Sequence, residues 1–229
     1  MVRVGKILII ALLTSNAFIG VSCATSLSSL TTKVRTLLYE TSSTNSLYAD
    51  AQIYDAINQA QKFLLDIMPI SAHYNMLTEA TSSVTVGNNS ATLPTDFRRI
   101  VQVKYNGKPA IQVNPETYYS TIGKATITTD PMFFIRGTKI YLFPTVASGT
   151  KEATLLYQKM PTELTASTHE ISLLVDYDYL LVLSATQIIL QNDNQVGRAA
   201  AIEKSLSNVL SPINNRFANT NVIEKVGTK

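Results

Sequence analysis

The hydrophobic period of this chain changes along its length from helix-like to strand-like and back, and that alternation limits the folds open to it. Between Leu27 and Ile67, apolar residues recur at the spacing of one face of an α-helix. From Tyr74 to Pro161 they fall in short runs separated by tight-turn residues, as strands do. After Glu170 the helical spacing returns. Helical stripes at both ends of a sequence are buried together only if those ends meet in space. The expectation is an α+β fold: a discontinuous helical bundle of two N-terminal and two C-terminal helices, with an inserted antiparallel β-domain. Its parts are a bundle over 25–69 and 171–217, a β-rich insertion over 70–170 and a tail over 218–229.

Ser26 caps a helix on which Leu27, Leu30, Val34, Leu37 and Leu38 share a face. Ile53, Ala56, Ile57, Ala60, Phe63, Leu64 and Ile67 line a second. Pro69 ends it, because proline lacks the amide and disfavours helix in the residue before it. Tyr177 to Leu190 is apolar almost all round, so this helix should be the most buried. Gln195 to Phe217 supplies the last, with Ile202, Leu206, Val209 and Ile213 in one stripe; Pro212 is expected to kink or end it. Beyond it, the polar tail from Asn219 to Lys229 is expected to be mobile on its own.

Three hairpins are expected between the helical ends. Val84–Val86 would pair with Ala91–Leu93 around Gly87-Asn88-Asn89, and Phe133–Ile135 with Ile140–Phe143 around Arg136-Gly137-Thr138. The strongest signal joins Ile100–Tyr105 to Lys108–Val113 through Asn106-Gly107, a pair suited to the two positive φ angles of a type I′ turn. Ala153–Tyr157 adds a strand, and Pro115–Ser120 one helical turn. Short strands joined by tight turns argue an antiparallel sheet or small sandwich.

Residues 1–24 form an apolar segment with two readings. Arg3 and Lys6, then the apolar run from Ile7 to Val21, then Ser22, Cys23 and Ala24 follow the order of a secretory signal. The same residues suit an apolar arm packed on a neighbour. The run is too short and too interrupted, by Thr14, Ser15 and Asn16, for a membrane span.

Charged residues are 15% of the 229, below the ~25% of an average soluble protein. A net charge of +3 gives no basic field able to neutralise many phosphates. One cysteine excludes a disulfide framework and a multi-thiolate zinc site. Phosphate-binding and hydrolase motifs are missing from the sequence. His73 and His169 read as surface or capping residues, and Asp176 and Asp178 as charges suited to a helix start. The Arg98-Arg99 pair could bond an Asp or contact phosphate, and reads first as a solvated turn. No catalytic, metal-binding or cofactor-binding residue is expected. Eleven tyrosines without a tryptophan, several in or beside the β-region, suit sheet packing and interfaces.

Several phrases resemble the head–tail connector adaptor proteins of tailed phages. Ser29-Leu-Thr-Thr-Lys-Val-Arg-Thr-Leu-Leu38 and Tyr48-Ala-Asp-Ala-Gln-Ile-Tyr-Asp-Ala-Ile-Asn58 are similar to their paired N-terminal helices. Leu93-Pro-Thr-Asp-Phe-Arg-Arg-Ile100 resembles the start of their β-insertion, and Phe134-Ile-Arg-Gly-Thr-Lys-Ile-Tyr-Leu-Phe-Pro144 a later part of it. Tyr179-Leu-Leu-Val-Leu-Ser-Ala, then Gly197-Arg-Ala-Ala-Ala, resembles their C-terminal pair. The resemblance implies a structural virion protein without an active site, located in the neck between head and tail. It implies a ring, commonly of twelve copies, that joins the portal protein to a tail or nozzle protein while genome DNA passes through without specific binding. By that analogy the tail reaches the portal through Arg216, Phe217, Val222, Ile223 and Lys225. Tyr105, Asn106, Gly107, Tyr118 and Tyr119 would then face the tail or a neighbouring subunit. The alternative is an exported bacterial surface or periplasmic binding protein with its signal peptide cleaved; the mass of the mature N-terminus separates the two.

Overall fold

The computed structural model describes residues 25–40, 46–85, 89–122, 130–144, 149–171, 173 and 177–226, with backbone only at Thr85, at Ile122 and beyond Phe217. The apolar segment 1–24 and most of the expected turn at 87–89 lie outside the described residues. Helices stand at both ends with a strand region inserted between them, an α+β arrangement.

Helix α1 (Leu27–Leu37) starts where Ser26 Oγ accepts the Ser29 amide at 3.4 Å. Helix α2 (Asp50–Ile67) starts with the Gln52 side chain accepting the Ala49 amide at 2.9 Å and ends before Pro69. A 3-10 segment, Ile70–Met76, then turns the chain into the strands. After the strands come α4 (Asp178–Asn192) and α5 (Val196–Val226). Among the residues of α4, Leu180, Leu181, Val182, Leu183, Ala185, Ile189 and Leu190 are all buried, because α1, α2 and α5 each pack on it. Burying each large aliphatic contributes roughly 1.5–3 kcal/mol. The bundle closes through cross-links at its ends. Leu27 N donates to His169 O at 2.8 Å, and Tyr48 Oη donates to the Asp193 carboxylate.

Two four-stranded sheets form the insertion. The first runs in the order β1 (Leu77–Thr85), β8 (Thr150–Lys159), β3 (Phe97–Tyr105) and β4 (Lys108–Pro109). The second runs β2 (Ser90–Thr92), β7 (Lys139–Phe143), β6 (Met132–Arg136) and β5 (Ile111–Gln112). They share one core, in which Val84, Val103, Leu155 and Ala153 of the first sheet meet Phe133, Ile140 and Leu142 of the second. Helix α3 (Pro115–Ile122) covers the other face of the second sheet, where Tyr118 packs on Phe134 and Phe143. Successive residues Phe133 and Phe134 thus serve opposite faces, as the period of two requires.

Four expectations need correction. Val84 and Ala91 do not belong to one hairpin: β1 pairs with β8 across the whole run from Leu77↔Gln158 to Thr85↔Thr150, and β2 pairs with β7 in the other sheet. The strand after Asn106-Gly107 soon leaves its partner, and Ile111–Gln112 pairs with β6 in parallel, so the second sheet is mixed. Pro212, expected to kink or end α5, does not end it: the helix runs on to Val226, past the expected limit at Phe217. The carbonyl that Pro212 leaves unbonded, on Asn208, belongs to an exposed turn that water can satisfy. Phe63, expected on the buried stripe of α2, is 42% exposed and lines an open cleft between α2 and α4.

Candidate functional site

Among the described residues no three His, Cys, Asp or Glu side chains gather as a metal site, and no helix is long and apolar enough to cross a membrane.

His73 is not at the surface. The 3-10 segment turns it inward, where its ring is fully buried and meets Tyr177 edge-on at 5.9 Å between centroids. Burial pushes its pKa down from 6.5 to about 4; the nearby Leu64 carbonyl pulls the other way, and the Arg99 and Arg98 charges add smaller downward pushes. Neither ring nitrogen meets a partner at hydrogen-bond geometry. It is a neutral imidazole in the core where bundle and insertion join. His169 lies in a loop, where its Nδ1 accepts the Thr165 amide at 3.2 Å and closes a turn. Asp178 stands at the start of α4, accepting from Thr25 Oγ1 and, at 3.4 Å, from Lys33 Nζ. Arg98 is not in a solvated turn but pairs with an Asp, the alternative its sequence context offers. It lies in β3 and donates to Lys62 O at 3.1 Å and to the Asp66 carboxylate, tying the first sheet to the end of α2.

The residues expected to face the tail divide between core and surface. Tyr105 and Tyr118 are 2% and 0% exposed, so their rings build the insertion rather than a contact face. Tyr118 Oη donates to Leu142 O at 2.9 Å, and burial pushes its hydroxyl up to about 12. Tyr105 is likewise shifted upward by burial. Asn106 and Gly107 are exposed at the tip of the β3–β4 turn with φ of 52° and 77°, as a type I′ turn demands. Tyr119 is 53% exposed, leaning on Tyr118 and Phe134. Of the group expected at the portal, Arg216 is exposed with its guanidinium 6.0 Å from the Phe217 ring, and Phe217 packs partly on the bundle core. Val222, Ile223 and Lys225 lie on the last turns of α5, and their side chains are outside the described residues.

Direction matters for these groups. Tyr48 at the start of α2 meets Asp193 at the end of α4, so those helices are antiparallel, and α5 turns back along α4 after Asn194. The C-terminal turns of α5 therefore head toward the end of the bundle that carries the sheets. The opposite end presents Tyr39, Leu47 and Val196 at 81%, 74% and 73% exposure, a grouping of apolar side chains that periodicity did not single out. Their signal lies at the helix ends, where a residue falls outside the stripe that its neighbours define.

Open clefts flank α5. One, of about 440 Å³, lies between α2 (Gln59, Phe63) and α4 (Ser184, Gln187, Ile188, Gln191) and is edged by α5 at Glu203. The other, of about 170 Å³, lies against α1 and is lined by Thr36, Leu37, Tyr39, Arg198 and Ile202.

No curated protein matches the chain in sequence. A family model does: SU10 adaptor protein, over residues 25–222, which takes in both helical ends and the whole strand insertion. The order of elements, the strand region set into a bundle and this match over most of the sequence agree, and the chain belongs to the SU10 adaptor protein family.

Proposed function

We propose that this chain is a structural protein of a phage virion, one subunit of a ring in the neck that joins the portal to the tail and forms part of the channel through which DNA leaves. The family match over 25–222 carries the reading. The shape of α5 supports it. At about 1.5 Å per residue its 31 residues reach about 46 Å, whereas the 15 of α4 reach about 22 Å. The excess is a lever that outruns the bundle. Its last turns, from Arg216 and Phe217 through Val222, Ile223 and Lys225, are the proposed portal contact. Asn106, Gly107 and Tyr119, on the surface of the insertion, are the proposed contact with the tail protein or a neighbouring subunit. A net charge of +3 suits a channel that DNA must slide through, since sequence-independent binding grows with the number of phosphates neutralised. The resemblance to connector adaptors sets the expected copy number at twelve.

Mixing the protein with portal protein tests this. Light scattering should report a large joint species, and a mixture of separate components would overturn the reading. Removing the residues after Asn219 should leave the melting temperature unchanged but sharply weaken portal binding. A truncated chain that binds as well as the intact one would remove the tail from the contact.

A further inference from the structure

We propose that the two clefts flanking α5 are the two halves of a heterologous contact between copies of this chain, with Tyr39 and Arg198 of one copy seated in the Phe63–Glu203 cleft of the next. This inference rests on the ring reading and names the surfaces that would meet.

The placement comes from helix geometry. Arg198 and Glu203 are five residues apart on α5. That separates them by about 140° around the axis and only about 7.5 Å along it. The clefts they edge consequently open on opposite flanks of the bundle at nearly the same height. When two different patches on opposite flanks meet, the contact is head-to-tail, and repeating it gives a ring where the rotation per copy divides a full turn and an open filament where it does not.

The chemistry of the two clefts is complementary. Tyr39 stands at the end of α1 with φ of 63°, 81% exposed. The Arg198 guanidinium lies 5.0 Å from its ring centroid and is held there by Leu37 O at 3.2 Å and Gln195 Oε1 at 2.7 Å. Both acceptors are uncharged, so Arg198 is anchored without being neutralised. Tyr39, on the rim of the α1-side cleft and braced by the half-buried Arg198, is a preorganised knob, which lowers the entropy lost on docking. The α2-side cleft offers what such a knob needs. Phe63 and Ile188 give an apolar wall for a ring, and Gln59, Gln187 and Gln191 give amides within the same hollow for a phenol. Glu203 and, further along α2, Asp55 are exposed carboxylates to meet the guanidinium. Among the described residues neither makes an ion pair within the chain. At about 440 Å³ the hollow has room for the knob. The contact also accounts for Phe63, an aromatic left open on a helix whose neighbouring Ile57, Ala60 and Leu64 are completely buried.

Directional cross-linking tests it. In full-length protein carrying Cys23→Ser, Tyr39→Cys and Phe63→Cys are made separately and oxidised mildly with portal protein present. Disulfide-linked dimers are expected when the two variants are mixed and not from either alone. A chain with both substitutions should give a ladder of multimers. Glu203→Lys, at an exposed position, should fold normally and lower the assembled fraction about tenfold. Large species that form on the portal without this cross-link, and are indifferent to Glu203→Lys, would overturn the interface and leave the ring reading standing. Dimers from one variant alone would mean a two-fold contact and also overturn it. Failure of the unmodified protein to assemble would overturn both.

Discussion

The bundle and the insertion bury their apolar residues in different ways. In the bundle, one continuous cluster surrounds α4 and draws on α1, α2 and α5 together. In the insertion the apolar residues divide between a core shared by two sheets and a smaller aromatic cluster beneath α3. The bundle joins the N-terminal and C-terminal helices in a single mass. The insertion depends on pairings distant in sequence, such as β1 with β8, and on turns that set its register. A lesion in the first should therefore spread, and one in the second should stay local.

The largest effect expected is from Leu183→Ala in α4, a residue 1% exposed. Deleting such a side chain from a tight core costs about 2–5 kcal/mol, the exposed surface plus the cavity. Chemical denaturation followed by the helical circular dichroism signal should register it, with the insertion unfolding alongside. Leu142→Ala in β7, 0% exposed, removes the same group from the other core. Near-ultraviolet signals from Tyr118 and its neighbours should then be lost before the helical signal. Coincident transitions in that variant would merge the two regions into one cooperative unit and break the comparison.

His73 sits at the join, and its effect depends on pH. Its pKa is about 4 in the fold against 6.5 unperturbed, so the unfolded chain binds the proton more readily. The stability this group contributes is complete above pH 6.5 and is lost as the pH falls through that value toward 4. The loss amounts to about 3 kcal/mol at most. His73→Leu should flatten the fall in stability across this window relative to the parent. Parallel curves for the two proteins would show that the imidazole is not held neutral.

His73 also marks where the sequence stops being legible. The helices could be read because caps and apolar stripes are local, as at Ser26 and along Ile53–Ile67. Two turns could be read because Asn106-Gly107 and Gly137 need backbone conformations that few residues adopt. The pairing of β1 with β8 could not, because a turn-like Gly-Asn-Asn looks alike whether it joins partners or passes between sheets. Nor could the burial of His73, Tyr105 and Tyr118, which depends on elements far away in sequence. The candidate contact surfaces were legible only in part for the same reason. Asn106 and Gly107 follow from their turn, whereas Tyr39, Phe63 and Glu203 become neighbours of clefts only once α5 lies against α1 and α2.

A smaller effect is expected at Gly107, whose φ of 77° lies in the left-handed region. A Cβ there would meet nothing within 4 Å, so the cost of Gly107→Val is backbone strain alone. For a β-branched residue this is about 1–2 kcal/mol. Hydrogen exchange should speed up in β3 and β4 while α4 stays protected. Loss of soluble protein would place this hairpin within the main core.

The smallest effect expected is at Arg98, and it asks how firmly the two regions are joined. Arg98 donates across the junction to Lys62 O and Asp66, but Asp66 is largely open to water, its side chain 70% exposed. Solvent-exposed pairs of this kind contribute about 0.2–1 kcal/mol, because water screens the attraction and two side chains lose freedom. Arg98→Ala should lower the melting temperature only slightly, and the difference should shrink further in high salt. Its more telling readout is protease susceptibility in the segment from Pro69 to Met76, which should rise if the bridge steadies the insertion against the end of α2. Unchanged cleavage there would leave the buried contacts around His73 and Tyr177 as the main tie between the regions, and would make the local character of insertion lesions a property of packing rather than of charge.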